Sequence, residues 1–281
     1  MRLGVTSFLT DRSMGPADFA RAAEERGFHS LYLPEHTHMP VIESSPATVV
    51  EGVRGEEYRR SLDPFVALSA AAASTSSIRI GTGVCLVAEH DPITLAKQVA
   101  TLDLLSSGRF VFGIGYGWNS EELAHHGVPF PERRDVAHEH LRCMQSLWRD
   151  DVAEFRGDRV EMGPSFAWPK PVQKPWPPVL FGGGAGPKLF AAIAALAAGW
   201  MPIGGSGVGK ALPDLRRAFE EEGREMGEVV PFGTIPGEGK LEHYRSLGIN
   251  EVVLRIPSGP PDVMVPVLDG YAPFLDFASK L

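Results

Sequence analysis

Two histidines and a glutamate directly follow an apolar segment near the start of the chain. Ser30 to Pro34 is predicted to be a strand, and Glu35-His36-Thr37-His38 comes immediately after it. Imidazole titrates near neutral pH, so His36 beside a bound redox cofactor could donate or accept a proton while Glu35 fixes its position. We take His36 and Glu35 as candidate catalytic residues.

This segment has two other interpretations. His-x-His also occurs in metal hydrolase barrels, which need further His or Asp ligands at later strand ends. The later predicted ends carry Gly, or Pro257-Ser258-Gly259, in place of such ligands. We therefore predict no metal site. The plainer alternative is that His36 pairs with a carboxylate behind the site and touches no ligand.

Glycine-rich segments end several of the predicted strands. The segment Gly182 to Gly186 contains four glycines and leads into a predicted helix that starts at Lys188. Backbone N–H groups at a helix N-terminus attract phosphate, whereas a plain turn would need fewer glycines. We predict a phosphate site here, formed by Gly183, Gly184, Ala185 and Gly186 and flanked by Gly204 and Gly205.

A strand, a helix and a second strand between Arg79 and Gly117 supply further candidates. Both strands are apolar and turn to glycine at their ends, where a flat ligand could approach the backbone closely. The alternatives are that these glycines only form turns and that the aromatic pair Tyr116 and Trp118 packs on the surface. The predicted cofactor contacts at these strand ends and at the end of the first strand are Ser7, Gly83, Val84, Cys85, Gly115, Tyr116, Gly117 and Trp118.

Composition narrows the class of protein. The formal net charge of −8 argues against non-specific binding of nucleic acid, which needs a basic face. The two cysteines, Cys85 and Cys143, fall in a predicted strand and a predicted helix and form no disulfide framework or metal motif. The start, Met1 to Val5, is predicted to be a strand rather than a signal peptide, and no apolar run approaches 18 residues. We expect a soluble cytoplasmic protein with no membrane partner.

Strands and helices alternate along the whole chain, eight of each. This number predicts a closed (β/α)8 TIM barrel with its site at the carboxyl ends of the strands. An open doubly wound sheet would carry a glycine fingerprint after the first strand, which is absent. The predicted strands are Arg2–Phe8, Ser30–Pro34, Arg79–Val87, Arg109–Gly117, Val179–Phe181, Gly199–Ile203, Val229–Ile235 and Glu251–Ile256. The predicted helices are Pro16–Arg26, Pro64–Ser74, Pro92–Ser106, Pro131–Trp148, one from Lys188, Pro213–Met226, Lys240–Leu247 and Asp262–Lys280.

Two segments interrupt the alternation. Met39 to Ser61 is polar and without periodicity, so we predict a long loop after the second strand. Asp150 to Pro178 contains a predicted hairpin tip and a proline-rich stretch. It could link two domains. We favour an insertion between the fourth and fifth strands of one domain spanning residues 1–281, because the alternation resumes afterwards.

The same residues resemble the luciferase-like monooxygenase superfamily, whose members are flavin- or deazaflavin-dependent (β/α)8 barrels. The resemblance covers nearly the whole chain, and only the order and spacing of its parts are specific. Gly-Tyr-Gly-Trp-Asn at 115–119 is similar to probable F420-dependent oxidoreductases of actinobacteria. The parts that carry the resemblance are Leu33-Pro34-Glu35-His36, Gly81 to Val84, Gly108 to Trp118, Pro175 to Val179 with Gly182 to Gly184, and Gly199 to Pro202.

The resemblance implies coenzyme F420, a hydride carrier, with hydride moving between it and a small organic substrate. It also implies a homodimer and, by position, a non-prolyl cis peptide at Gly83-Val84. FMN with O2 and a flavin reductase partner is the alternative, and a non-catalytic flavin-binding barrel is another. F420-dependent sugar-phosphate dehydrogenases align a glutamate with Trp118 and a lysine with Ser206, so glucose-6-phosphate is not the expected substrate.

Overall fold

Short segments form the strands, and most residues of the strands in the parallel sheet are buried. The structure is a computed structural model that describes residues 1–41 and 55–281. Most of the predicted loop after the second strand lies outside the described residues. Within them the strands are β1 Arg2–Thr6, β2 Ser30–Leu33, β3 Arg79–Thr82, β4 Phe110–Ile114, β5 Ala153–Arg156, β6 Glu161–Ser165, β7 Val179–Gly182, β8 Gly199–Met201, β9 Glu228–Val229, β10 Phe232–Thr234 and β11 Glu251–Arg255.

The helices follow the strands, and several begin with a proline whose missing N–H costs nothing in the first turn. Among the described residues they are α1 Pro16–Glu25, α2 Pro64–Ser74, α3 Pro92–Leu105, α4 Ser120–His125, α5 Arg133–Arg149, α6 Pro187–Leu196, α7 Val208–Glu221, α8 Glu238–Ser246 and α9 Pro261–Ser279. No helix in the described ranges has both the length and the apolar character needed to cross a membrane. The cytoplasmic location stays a prediction.

The predicted sixth helix is wrong at both ends. We expected Pro213–Met226, but α7 starts at Val208 and contains Pro213. Its buried face is built from Val208, Leu212, Leu215 and Phe219, and packing of this face outweighs the missing hydrogen bond of the proline. The helix ends before Gly223, whose φ of +66° is a left-handed conformation that favours glycine.

The strands form one curled parallel sheet in the order β10-β11-β1-β2-β3-β4-β7-β8-β9. Its ends meet: Gly204 donates to the Phe232 carbonyl at 2.7 Å, and the Phe232 N–H donates to Pro202 at 2.9 Å. The predicted seventh strand, Val229–Ile235, is therefore present as β9 and β10. Pro231 separates the two because it has no N–H to donate to the ladder. The architecture is TIM-barrel-like.

The interior of the curl has a small apolar core of its own, to which strands distant in the sheet order contribute. Glycines in β3 and just beyond it make room for two of its rings: a Cβ on Gly81 would lie 2.6 Å from the ring of Tyr32, and one on Gly83 would lie 2.3 Å from Phe232. The helices cover the outside of the sheet through a second, larger cluster. The interior cluster consists of Tyr32, Val111, Leu180, Met201, Val230, Phe232 and Val253.

Between β4 and β7 the chain forms α4, α5 and an antiparallel pair, β5 with β6. The segment after the hairpin is tied to the helices. Lys170 Nζ donates to the Leu147 carbonyl at 2.8 Å, and the Gln173 side chain donates to Asp103 at 2.6 Å. Ala153 of β5 and Met162 of β6 belong to the same buried apolar cluster as the helices.

Candidate functional site

A cavity of about 330 Å³ opens at the carboxyl ends of the parallel strands. Most of its wall is apolar, including Phe8, Ile203 and Phe232. The residues predicted from sequence that line it are Ser7, Glu35, His36, Gly83, Val84 and Trp118. A mostly apolar cavity with a few polar groups is the usual form of a small-molecule site.

His36 is the ring through which the cavity wall connects to a buried carboxylate. Its side chain is 6% exposed and lies among aromatic rings, with centroids 5.4 Å from Tyr58 and 5.5 Å from Trp118. Its Nδ1 lies 2.8 Å from Oε2 of Glu122. An ionised carboxylate only accepts, so it favours a proton on Nδ1 and leaves the lone pair on Nε2. The ring is thereby oriented and held in one tautomer.

Glu122 lies in the first turn of α4, which places its carboxylate against His36. The Asn119 side chain caps the helix by accepting from the backbone of Glu121 and Glu122 at 3.1 and 3.2 Å. The segment Trp118 to Glu122 indicates a helix start with a Ser or Asn cap, and Asn119 is the residue that supplies it. The Glu122 carboxylate, 1% exposed, also accepts from the Thr37 N–H at 2.9 Å. Thus α4 is locked to the end of β2 through one buried side chain.

Glu35 supports the backbone beyond β3. Its Oε2 accepts from the Leu86 N–H at 2.6 Å, and its Oε1 lies 2.9 Å from Nε2 of His90. Burial acts to raise the pKa of Glu35, but the hydrogen bond and charge of His90 outweigh burial and lower it. Burial acts to lower the pKa of His90, but the hydrogen bond with Glu35 and the negative charges of Glu35 and Asp63 together raise it. The two groups therefore form an ion pair under the cavity.

Cys85 lies behind the cavity wall. It is fully buried, and burial followed by the charge of Glu35 raises the pKa of its thiol well above the usual value. Ligand atoms of Glu35, Cys85 and His90 lie within 4.8 Å of one another, which is close enough for a metal ion. The hydrogen bonds of Glu35 to Leu86 and His90 hold the end of β2 against the turn after β3.

Val84 explains Gly115, which the sequence assigns to ligand access, and also Gly182 at the end of β7. A Cβ on Gly115 would lie 2.6 Å from Val84 Cγ2, and one on Gly182 would lie 2.8 Å from Cγ1. Both positions must therefore be small because the valine occupies the space beside them. The Gly83–Val84 peptide is cis.

Tyr116 and Gly117 are not among the residues that line the cavity. The Tyr116 hydroxyl lies 2.7 Å from Nε2 of His138, and its ring packs 5.7 Å from Phe181. Gly117, with a φ of +74°, makes the turn that leads to Trp118. The predicted aromatic pair is therefore divided, with Trp118 on the cavity and Tyr116 behind it.

The glycines predicted to bind phosphate do not line this cavity, and Gly186 lines a separate pocket between α6 and α7. Gly184 is exposed, and a Cβ there would meet nothing within 4 Å. Gly204 and Gly205 have φ values of +72° and +68°, so this turn requires glycine. Gly183, Ala185 and Gly186 complete the approach to α6, which leaves open backbone at its N-terminus.

Several residues of this site were missed from the sequence. Glu122 stands in a recognisable helix start, and that was the available signal. Tyr58 and Arg255, which also line the cavity, carried none. Glu89 is fully buried at its side chain, and neither carboxyl oxygen has a hydrogen-bond partner among the described residues. Burial, then the charges of Glu122 and Glu35, raise its pKa to about 9, so it is a neutral acid at physiological pH.

The sequence was compared with known families and proteins. A family model described as luciferase-like monooxygenase matches residues 16–236. An uncharacterized protein of Mycobacterium tuberculosis is 43% identical over 274 residues, which is 93% of this chain and 94% of that protein. The F420-dependent glucose-6-phosphate dehydrogenase of Kineococcus radiotolerans is 31% identical over 221 residues, 76% of this chain and 60% of that enzyme.

Solved structures share the fold. The monooxygenase RslO1 from Streptomyces bottropensis superposes with a TM-score of 0.77 at 21% identity, covering 98% of both chains. An F420-dependent secondary alcohol dehydrogenase, in complex with an F420–acetone adduct, superposes with a TM-score of 0.75 at 18% identity, covering 99% of both chains. At these low sequence identities, the structural similarity shows only that the architecture is shared.

Proposed function

Because the chain belongs to the luciferase-like monooxygenase family, we propose that it is an oxidoreductase that transfers a hydride between coenzyme F420 and a small organic substrate. The observation that carries the proposal is the His36–Glu122 pair, which presents one ring nitrogen to an apolar cavity at the strand ends. Sequence relatives named as F420-dependent dehydrogenases support this choice of cofactor.

The residues present fit a planar cofactor with a phosphate-bearing tail. Val84 and Trp118 supply apolar wall beside His36, and Gly184 leaves open the space that a Cβ would fill. Backbone N–H groups at the start of α6 would meet the phosphate, with Gly204 and Gly205 on the neighbouring turn. When bound, F420 supplies hydride transfer at its ring.

The protein's own part is acid–base chemistry and the exclusion of water. In alcohol oxidation Nε2 of His36 accepts the hydroxyl proton, and in carbonyl reduction it donates one. Glu122 stabilises the imidazolium formed in the first case because Nδ1 lies on its carboxylate. The aromatic side chains around His36 keep bulk water from the reacting groups.

The architecture used in this proposal is one (β/α)8 barrel over residues 1–281. In it, β9 and β10 count as one strand, and the hairpin of β5 and β6 is the insertion between the fourth and fifth barrel strands. We further propose a homodimer through α2 and α3, whose outer faces expose Val66, Leu104 and Leu105. In the proposed dimer, these exposed apolar side chains would be covered by the second copy.

Titration of the cofactor-free protein with F420 and with FMN, followed by fluorescence, tests the proposal. We expect F420 to bind more tightly, and reduced or oxidised F420 to react in single turnovers with small ketones or secondary alcohols. Tighter binding of FMN, with O2 consumption when a flavin reductase is added, would replace hydride transfer by monooxygenation. Binding without turnover in either assay would indicate a non-catalytic flavin-binding barrel.

A further inference from the structure

Hydrogen bonds continue from Glu122 on the side away from the cavity. Thr37 Oγ1 donates to Oε1 of Glu122 at 3.3 Å. Thr37 Oγ1 also lies 2.8 Å from Nε2 of His126 and 2.9 Å from Nδ1 of His38. Nε2 of His38 in turn lies 2.7 Å from Nδ1 of His125. We call Thr37, His38, His125 and His126 the histidine relay.

Burial falls along this series. The side chains of His36 and Glu122 are 6% and 1% exposed, whereas Thr37, His125 and His126 lie at the surface of the described part of the chain. None of the four relay residues lines the cavity. The series therefore joins the buried pair to solvent by a route that does not pass through the ligand.

Two short segments bring these groups together. Glu122, His125 and His126 stand at positions i, i+3 and i+4 along and just beyond α4, so they share one face. Thr37 and His38 follow His36 directly. The bond from the Thr37 N–H to Glu122 fixes the second segment against the first.

We propose that the histidine relay carries protons between Glu122 and solvent, so that the His36–Glu122 pair returns to its starting number of protons while the cavity is occupied. The proposal rests on the proposed function, in which each hydride transfer to or from a deazaflavin is matched by one proton. Histidine suits such a relay because it exchanges protons near neutral pH, and its two nitrogens can take up and release them on opposite sides.

The steps balance for oxidation of an alcohol. The substrate O–H bond breaks and an Nε2–H bond forms on His36, while the hydride leaves carbon for the cofactor. The Nδ1 proton moves to Oε2 of Glu122, and rotation of the carboxyl group turns it toward Thr37. Thr37 accepts that proton as its own hydroxyl proton passes to a free ring nitrogen of His126 or His38. The histidine releases one proton to water, and His36 is left with its one proton on Nε2. Once the product has left, water in the emptied cavity takes this proton while Glu122 returns one from the relay to Nδ1, which restores the starting tautomer. Reduction of a carbonyl runs the steps in reverse.

Other titratable groups face the relay. Glu89 Oε2 lies 3.7 Å from Nε2 of His126, and His90 and Glu35 lie behind it. Burial, then the charge of His38, lower the pKa of His126, which keeps this ring neutral and able to accept a proton. Glu89, as a neutral acid, adds no fixed charge that would trap the proton.

The hydroxyl of Thr37 is the link to test, because the described contacts between Glu122 and the relay histidines pass through it. Thr37→Val removes the hydroxyl and retains the backbone bond to Glu122. Thr37→Ser retains both. Proton-detected nitrogen spectra of histidine-labelled, cofactor-free protein would measure how fast the His36 Nδ1 proton exchanges with water.

We expect exchange to slow by about tenfold or more in Thr37→Val and to stay near the wild-type rate in Thr37→Ser. Equal exchange rates in Thr37→Val and wild type would overturn the relay. If Thr37→Val does not fold, as judged by circular dichroism, the double variant His38→Gln with His126→Gln takes its place. The same slowing is expected there, and unchanged exchange would again overturn the proposal.

A second arm uses the protein loaded with F420. In weak buffer, Thr37→Val should turn over more slowly than wild type, added imidazole should restore the rate, and the first turnover should be unchanged. A variant that imidazole does not rescue would count against the relay. If F420 does not bind at all, the proposed function fails, while the exchange measurement on cofactor-free protein still decides whether the relay exists.

Discussion

Glu122 accepts a hydrogen bond from Nδ1 of His36 at 2.8 Å, although 86 residues separate the two in sequence. Both side chains are almost completely buried. When a carboxylate accepts a hydrogen bond from Nδ1 of a histidine, the ring presents its unprotonated Nε2 on the opposite side. This relationship is the basis of the first two predictions.

Replacing His36 by alanine should slow chemistry more than binding. We expect the single-turnover rate at saturating cofactor to fall by about 10²-fold or more, the usual scale for a lost general acid or base. The cofactor Kd should change much less. His243→Ala, at an exposed position on α8, is the matched control. A near-normal rate for His36→Ala would show that His36 is not a catalytic residue.

Replacing Glu122 by glutamine should weaken the fold and the reaction together. The groups that contact this carboxylate are His36 Nδ1, the Thr37 N–H and the Thr37 hydroxyl, all of which can donate. An amide turns an NH2 toward one of them. We expect a loss of about 1–3 kcal/mol in unfolding free energy, measured by urea denaturation, and a slower single turnover. Glu121→Gln, one residue away, should show neither effect.

Replacing Gly184 by valine tests the phosphate site. A Cβ at this position meets no protein atom within 4 Å, so the fold should be unaffected. The side chain would instead occupy the space in front of α6 and weaken cofactor binding by roughly 1–3 kcal/mol. Calorimetric titration with F420 and FMN measures this. Gly163→Val, on the hairpin strand β6 and equally open, is the control. Unchanged affinity for both cofactors would place the phosphate elsewhere.

Replacing Glu89 by glutamine should change how stability depends on pH. The folded-state pKa of about 9 lies far above the ordinary carboxyl value. Between these two values the unfolded chain has released a proton that the folded chain keeps, so wild-type stability falls as pH rises. The variant lacks this loss and should gain roughly 1–3 kcal/mol on wild type between pH 5 and 9. Glu154→Gln, at an exposed site, should track wild type in the same urea series.

Replacing Leu105 by lysine tests the homodimer. Leu105 is 60% exposed at the end of α3. A charge in the core of an apolar interface is costly, so light scattering at micromolar concentration should show a shift from dimer to monomer. Val152→Lys, 51% exposed near the hairpin, should leave the mass unchanged. A wild-type protein that is already monomeric would refute the dimer directly.

Local sequence signals account for most of the fold. The helix α2 was predicted at Pro64–Ser74 as observed, because proline starts the helix and polar residues follow it. The start of α4 carries a similar local signal, a Ser or Asn cap followed by two glutamates. The position of His36 just after β2 follows from the apolar run that precedes it. These features depend on neighbours within a few residues, and the sequence states those neighbours directly.

Contacts between distant segments were decided by the tertiary structure. The space beside Gly115 is filled by the side chain of Val84 and not by a ligand. The hydrogen-bond partner of His36 is Glu122, where the sequence predicted Glu35. The buried acid Glu89 carried no sequence signal, because its environment is made by Glu35 and Glu122 from other parts of the chain. Periodicity shows which side of an element faces inward. Which residues of other elements contact that inward side depends on how the strands are ordered and how the loops at their ends pack.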